Sequence, residues 1–336
     1  MVTNLGLEAG PVGSLRLAGC TRLASLKGDF PELRTLYLGG CGRFADAEFL
    51  GRALDHGLSF LSLVDCHSLS TRALKMAFQR SSRLKTLVLG GCRVDDELCA
   101  LIGAGCPQLT SLDLWNCPHV TRLGVSRIIR SRAPLDALNL RECLKVSGDV
   151  LLDFGDKAPT LRTLDISFLG PVTDDDLLPL LARHPLRCFH CGGPRCYVTE
   201  RIFEALPKAL EALDLADSAL LTLEGLHLPG LVALSLEGST CPASELVELC
   251  RRHPQLTSLN LSRCAVTDAM AVELAKMPKM LELELSGTLL GDEGLRALKR
   301  GRQLLHLGLR SCAISRTAVE EAKKAMPACI IDWDEA

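Results

Sequence analysis

A nine-residue pattern, Leu-x-x-Leu-x-Leu-x-x-Cys, recurs along the chain and leaves few folds open to it. It stands at Leu109, Leu112, Leu114 and Cys117, and again at Leu135, Leu138, Leu140 and Cys143. It returns at Leu256, Leu259, Leu261 and Cys264, and at Leu304, Leu307, Leu309 and Cys312. By the first apolar position of each block, thirteen blocks begin at Val12, Leu33, Leu58, Leu84, Leu109, Leu135, Leu161, Leu186, Leu210, Leu231, Leu256, Met280 and Leu304. Successive starts lie 21 to 26 residues apart. A fixed period of that size marks a solenoid, in which each unit buries its apolar stripe only against its neighbours. One continuous array is therefore expected over 12–327, after a short segment at 1–11 and before a partial strand and acidic tail at 328–336.

Within a block, the period of a strand sends neighbouring residues to opposite faces. Leu112 and Leu114 turn to the core, while Ser111, Asp113 and Trp115 turn away from it. The rest of most blocks reads as helix. Residues 95–104 open on acidic side chains and then set Leu98, Leu101 and Ile102 at helical spacing. Residues 268–276 and 292–299 read the same way. The blocks from Val12 and Leu210 are only 21 residues long, and an extended segment or tight turn is expected in place of a helix. The fold class is α/β: a horseshoe solenoid with a parallel concave sheet and a mostly helical convex face. Such a sheet suits holding another macromolecule.

Composition narrows the setting. No apolar run reaches the roughly 18 residues of a spanning helix, and residues 1–10 lack the pattern of a secretory signal. The formal charge is −2: residues 1–168 carry 20 basic and 17 acidic side chains, and 169–336 carry 18 and 23. So slight an asymmetry argues against nucleic acid or an anionic membrane as partner. Sixteen cysteines would suggest disulfides in a small secreted protein. Here eight of them, Cys20, Cys41, Cys66, Cys92, Cys117, Cys143, Cys264 and Cys312, hold the ninth position of their blocks. They read as reduced, buried packing residues, which points to cytoplasm or nucleus.

Three features together resemble the cysteine-containing leucine-rich repeats: the nine-residue pattern, a turn such as Val172-Thr173-Asp174, Val266-Thr267-Asp268 or Val94-Asp95-Asp96, and the lead-in Cys106-Pro107-Gln108-Leu109. That family is best known from the substrate-receptor half of F-box ubiquitin ligases. The resemblance covers about residues 12–331 and implies a protein-binding role in a ubiquitin ligase complex. Leu169, Pro194, Ser218, Ser239 and Thr288 depart from the ninth-position cysteine. Only eleven residues precede Val12, too few for an F-box, so a repeat-only protein or a fragment is expected.

A partner is expected on the concave face, where fifth and flanking positions form two zones. Tyr37, Phe60, Val64, Val88 and Trp115 make an apolar, aromatic zone. Asp113, Asn139, Asp165, His190 and Asp214 make a polar, acidic one, with Arg141 beside it. Aromatics next to charged groups are typical of binding hot spots. The expected partner sets an apolar side chain near Trp115 and a basic or donor group against Asp113, Asp165 and Asp214. The other reading is that these side chains simply face water.

No catalysis, metal or cofactor is expected. Cys188, His190, Cys191 and Cys196 hint at zinc, but Cys188 and Cys191 sit at third and sixth positions, on opposite faces of a strand. Asp165, His190 and Asp214 carry acid–base chemistry on paper, yet no nucleophile motif stands beside them. The pairs Gly39-Gly40, Gly90-Gly91 and Gly192-Gly193 fall where strands end and read as turns. At the C-terminus, a helix over 318–325 and a strand over 330–333 are expected to close the array. At the N-terminus Leu5 and Leu7 offer at most one irregular strand, so either residues 1–10 form a minimal cap, or that edge is covered by a second chain or by a segment outside this sequence. The leading reading is an intracellular protein-interaction scaffold. The alternatives are a structural subunit of a large assembly and a non-enzymatic inhibitor or effector.

Overall fold

The computed structural model describes residues 4–6, 12–131, 133–301 and 303–334, with side chains from Val12 onward except at Arg80. Each of the thirteen blocks forms a three-residue strand at its third to fifth positions, from Ser14–Arg16 to His306–Gly308. A further strand, Ile330–Asp332, follows. The chain divides into two compact units, one of residues 1–172 with 183–185 and one of 173–182 with 186–336.

In the first unit seven strands, Ser14–Arg16 to Thr163–Asp165, pair in parallel and in chain order. In the second, seven more run likewise from Cys188–His190 to Ile330–Asp332. The register sets like against like, as Leu112 against Leu138 and Leu259 against Leu283. Within each unit, fourth- and sixth-position leucines therefore stack into a column; Leu36, Leu38, Leu61, Leu63, Leu87 and Leu89 are wholly buried. Hiding such side chains from water is the main favourable contribution to folding.

The helices follow the expected pattern with two exceptions. Asp96–Gly105, Asp268–Leu274, Asp292–Leu298 and Arg316–Ala325 are α-helical where the spacing predicts. The 21-residue blocks carry no α-helix among their described residues: the first has the strand Ser25–Lys27, the other only turns. The full-length blocks from Leu135 and Leu186, however, form only the 3₁₀ segments Gly148–Asp153 and Glu200–Ile202. Asn4–Gly6 is a strand, as expected at Leu5, but it pairs in parallel with Ser25–Lys27 rather than extending the main ladder. Leu7 lies outside the described residues.

The eighth position, just past each strand, has positive φ in every block. Six are glycine (Gly19, Gly40, Gly91, Gly193, Gly238, Gly287), and Asp65, Asn116, Glu142, Phe168, Asp217, Arg263 and Ser311 hold φ between 50° and 60°. In eleven of these blocks its N–H reaches the seventh-position carbonyl of the next block, as from Gly91 to Trp115 at 2.7 Å and from Arg263 to Ser286 at 2.8 Å. The expected glycine turns at Gly40, Gly91 and Gly193 are thus the visible part of a rule that other residues also obey.

Seven of the eight ninth-position cysteines are buried. Each donates its S–H to the sixth-position carbonyl of the preceding block: Cys41 to Leu17 at 3.1 Å, Cys66 to Leu38 at 3.2 Å, Cys92 to Leu63 at 3.0 Å, Cys143 to Leu114 at 3.1 Å. Cys117, Cys264 and Cys312 do the same. Cys20 is exposed, contrary to expectation. Among the described residues, no sixth-position carbonyl of an earlier block stands before it. The replacements Ser218 and Thr288 bond instead to sixth-position carbonyls of their own blocks, Leu215 at 2.5 Å and Leu285 at 2.7 Å. Their shorter C–O bonds suit the nearer acceptor.

Candidate interaction surface

The sheet face away from the helices carries the third, fifth and seventh positions, as predicted for Tyr37, Phe60, Val88, Asp113, Trp115, Asn139, Arg141, Asp165, His190 and Asp214. All ten are half-buried rather than exposed. In the first unit Arg16, Tyr37 and Phe60 form a stack on successive strands. The Arg16 guanidinium lies 4.6 Å from the Tyr37 ring centre, and the Tyr37 and Phe60 rings are 4.4 Å apart at 35°. Cation–π and tilted ring contacts of this kind fix side-chain positions before any partner arrives.

Trp115 lies across the neighbouring backbone. A Cβ on Gly90 would stand 3.1 Å from its Cε3, so the indole occupies space that a side chain at Gly90 would need. Beyond it, the Arg141 guanidinium lies 4.7 Å from the Phe168 ring centre, and its Nε donates to Glu142 at 3.3 Å. Sequence reading missed Phe168; its place at an eighth position hid that its ring turns back toward Arg141.

The acidic residues are tied into the backbone. Asp113 accepts the Trp115 N–H at 2.8 Å, Asp165 the Ser167 N–H at 2.9 Å and Asp214 the Ala216 N–H at 3.0 Å. Asn139 and Asn260 accept in the same way from Arg141 and Ser262 at 2.9 Å each. A fifth-position Asp or Asn is thus a turn-former that bends the chain out of its strand. The second oxygen of Asp113 accepts from Asn139 at 3.1 Å. Burial pushes the Asp113 carboxyl up, the Trp115 and Asn139 bonds only partly oppose this, and Asp165 raises it further. Asp113 is therefore a poorer counter-charge for a basic group than its sequence position implies.

In the second unit His190 and Asp214 face one another at 3.9 Å. Burial alone would push the Asp214 carboxyl up, but His190, the Ala216 N–H and Ser235 outweigh it and hold the carboxyl below its usual range. Cys188 is half-buried and Cys191 is buried, on opposite sides of the strand as predicted. Cys196 sits against Cys191 in the interior at 3.6 Å between sulfurs. Among the described residues no group of three or more His, Cys, Asp or Glu is placed to hold a metal ion, and no helix is long and apolar enough to cross a membrane.

Comparison with known proteins matches this geometry. The Leucine Rich repeat family model matches residues 253–275 and 276–299. The chain folds as a leucine-rich-repeat solenoid. Of curated relatives, F-box/LRR-repeat protein 4 of Bos taurus is 29% identical over 152 residues, 44% of this chain and 24% of that protein. GRR1-like protein 1 of Arabidopsis thaliana is 26% identical over 330 residues, 84% of this chain and 54% of that protein. The matched region thus spans about a quarter and about half of the lengths of these relatives. In fold, the chain is similar to the structure of the yeast Rad7 and Elc1 complex, with a TM-score of 0.70 and 18% identity over 94% of this chain and 83% of that one.

Proposed function

We propose that this leucine-rich-repeat protein is an intracellular, non-enzymatic protein-interaction scaffold that takes a protein partner on its concave face, as a recognition subunit of ubiquitin-ligase type in cytoplasm or nucleus. The observation that carries this is the preorganised aromatic row of the first unit. Arg16, Tyr37 and Phe60 are stacked and Trp115 is seated over Gly90, so ring surface is held in place on an open sheet where ordering it costs a partner little. The similarity to F-box/LRR-repeat protein 4 and GRR1-like protein 1 supports the ligase part. The reading includes a second chain on the outer edge of Ser14–Arg16, supported by Leu15 and Leu17, which are half-buried where later counterparts are fully buried.

Affinity purification with mass spectrometry tests it, comparing the native chain with Trp115→Ala and with a Tyr37→Ala, Phe60→Ala double variant. A hot-spot truncation costs at least about 2 kcal/mol, roughly a thirtyfold loss of affinity. Proteins recovered by the native chain are expected to fall away with both variants, while circular dichroism shows both folded. Recovery unchanged by either variant sinks the concave-face reading, and a partner set without cullin-type ligase components sinks the ligase part.

A further inference from the structure

We propose that Cys191 and Cys196 form a dithiol site that low-molecular-weight disulfides such as glutathione disulfide convert to an intramolecular disulfide. Their sulfurs are 3.6 Å apart, where a disulfide needs about 2.05 Å, so closure asks for an approach of roughly 1.5 Å. The array itself sets this pair apart. The sixth position is leucine or isoleucine in the other twelve blocks, and cysteine only here. The ninth-position cysteines point to carbonyl oxygens of a neighbouring block, whereas Cys191 and Cys196 point to each other.

The segment between them can supply the movement. Residues 192–195 read Gly-Gly-Pro-Arg, Gly193 already holds φ at 130°, and Pro194 and Arg195 are exposed. Two glycines leave the backbone free to adjust where bulkier residues would resist. Cys196 is the more exposed of the two residues, at 6% against 1% for Cys191.

The chemistry balances as thiol–disulfide exchange. The Cys196 thiolate attacks one sulfur of glutathione disulfide, the S–S bond of the oxidant breaks, and one glutathione thiolate leaves. Cys191, as thiolate, then attacks Cys196 Sγ and expels the second glutathione. Two protein thiols are oxidised, one oxidant disulfide is reduced, and the two thiol protons end on the two glutathiones. The bond would staple the end of Cys188–His190 to its own loop, directly after His190 on the candidate surface.

The test is peptide mapping of the whole, native chain after equilibration at set ratios of reduced to oxidised glutathione, with rapid alkylation. The expected product is one peptide pair joined through Cys191 and Cys196, lighter by two hydrogens. It should be lost in Cys191→Leu, which restores the residue type of the other blocks, and in Cys196→Ser. Circular dichroism of Cys191→Leu controls for folding. Recovery of Cys191 and Cys196 as alkylated thiols at oxidising ratios, or as glutathione adducts that never resolve, overturns the proposal.

Discussion

Gly238 shows how a residue without a side chain ties three repeats together. It holds φ at 71°, and a Cβ there would run into the carboxylate of Asp217. Over this gap Arg263 reaches Asp217 at 3.0 Å and Glu237 at 3.0 Å. Gly238→Ala meets both obstacles at once, left-handed strain and a blocked carboxylate. The expected cost is about 1–2 kcal/mol, read as a lower midpoint in urea. His253 offers a second residue-level prediction. It is fully buried; its Nδ1 faces the Leu249 carbonyl at 3.0 Å and its Nε2 accepts from the Leu228 N–H at 3.2 Å. That requires the neutral ring with its proton on Nδ1. Burial, only partly opposed by the Leu249 carbonyl, pushes its pKa below the usual value, and Arg252 and His227 push it further down. Below about pH 6.5 the unfolded chain takes up this proton and the folded chain does not. The contribution is therefore complete above about pH 6.5 and declines as the pH falls from there toward the lowered folded value. In urea titrations at about pH 7.5 and 5.5, His253→Met should lose less stability on acidification than the native chain. Methionine is a reasonable replacement because Met277 and Met326 precede proline at equivalent places in later blocks.

At the scale of the element, the acid of the Val-Thr-Asp turn is a staple between blocks. Asp96, Asp174, Asp268 and Asp292 each open a helix. Each carboxylate sits at the positive end of its helix and accepts from the corresponding turn of the next block. Asp96 takes the N–H and hydroxyl of Thr121 at 2.8 and 2.6 Å, and Asp174 takes those of Thr199 at 2.8 and 2.7 Å. Asp268 takes the Gly291 N–H at 2.7 Å, and Asp292 the N–H and hydroxyl of Ser315 at 2.7 Å each. Asp96→Ala strands two donors and should cost about 1–3 kcal/mol, with faster amide exchange at Thr121 as the local readout. The turn motif is plain in the sequence; its reach into the following block is not, because the sequence shows spacing along the chain and not contact between turns of the solenoid. Length is likewise an incomplete guide to helices. It foretold the two blocks that lack one but not the 3₁₀ segments at Gly148–Asp153 and Glu200–Ile202.

At the scale of the whole array, the block from Leu304 satisfies its strand-exit donor differently from the blocks before it. Eleven eighth-position N–H groups find a carbonyl of the next block. The last such donor, Ser311, bonds instead to the side chain of Asp334 at 2.6 Å, while Arg310 holds Asp332 at 2.8 Å. Asp334 thus takes the place that a backbone carbonyl of the next block holds for the earlier donors. Asp334→Ala should leave the interior blocks unchanged and speed hydrogen exchange over Ile330–Asp332 and the Ser311 amide by tenfold or more, a loss of about 1.4 kcal/mol or greater in local opening.

The sequence by itself determined the α/β solenoid, the thirteen strands, the core leucines and the face on which Tyr37, Trp115 and Asp113 lie, because strand and repeat periods are local and survive in one dimension. It also placed Cys188 and Cys191 on opposite faces without any coordinates. Only the tertiary structure decided what those residues do there. The fifth-position carboxylates bend the chain at the ends of their strands, the ninth-position thiols bind the block before, Cys196 meets Cys191 in the interior, and Cys20 stands exposed where the other ninth-position thiols are buried. Each of these depends on which atoms neighbouring repeats bring together, and a pattern of residue types carries no record of that.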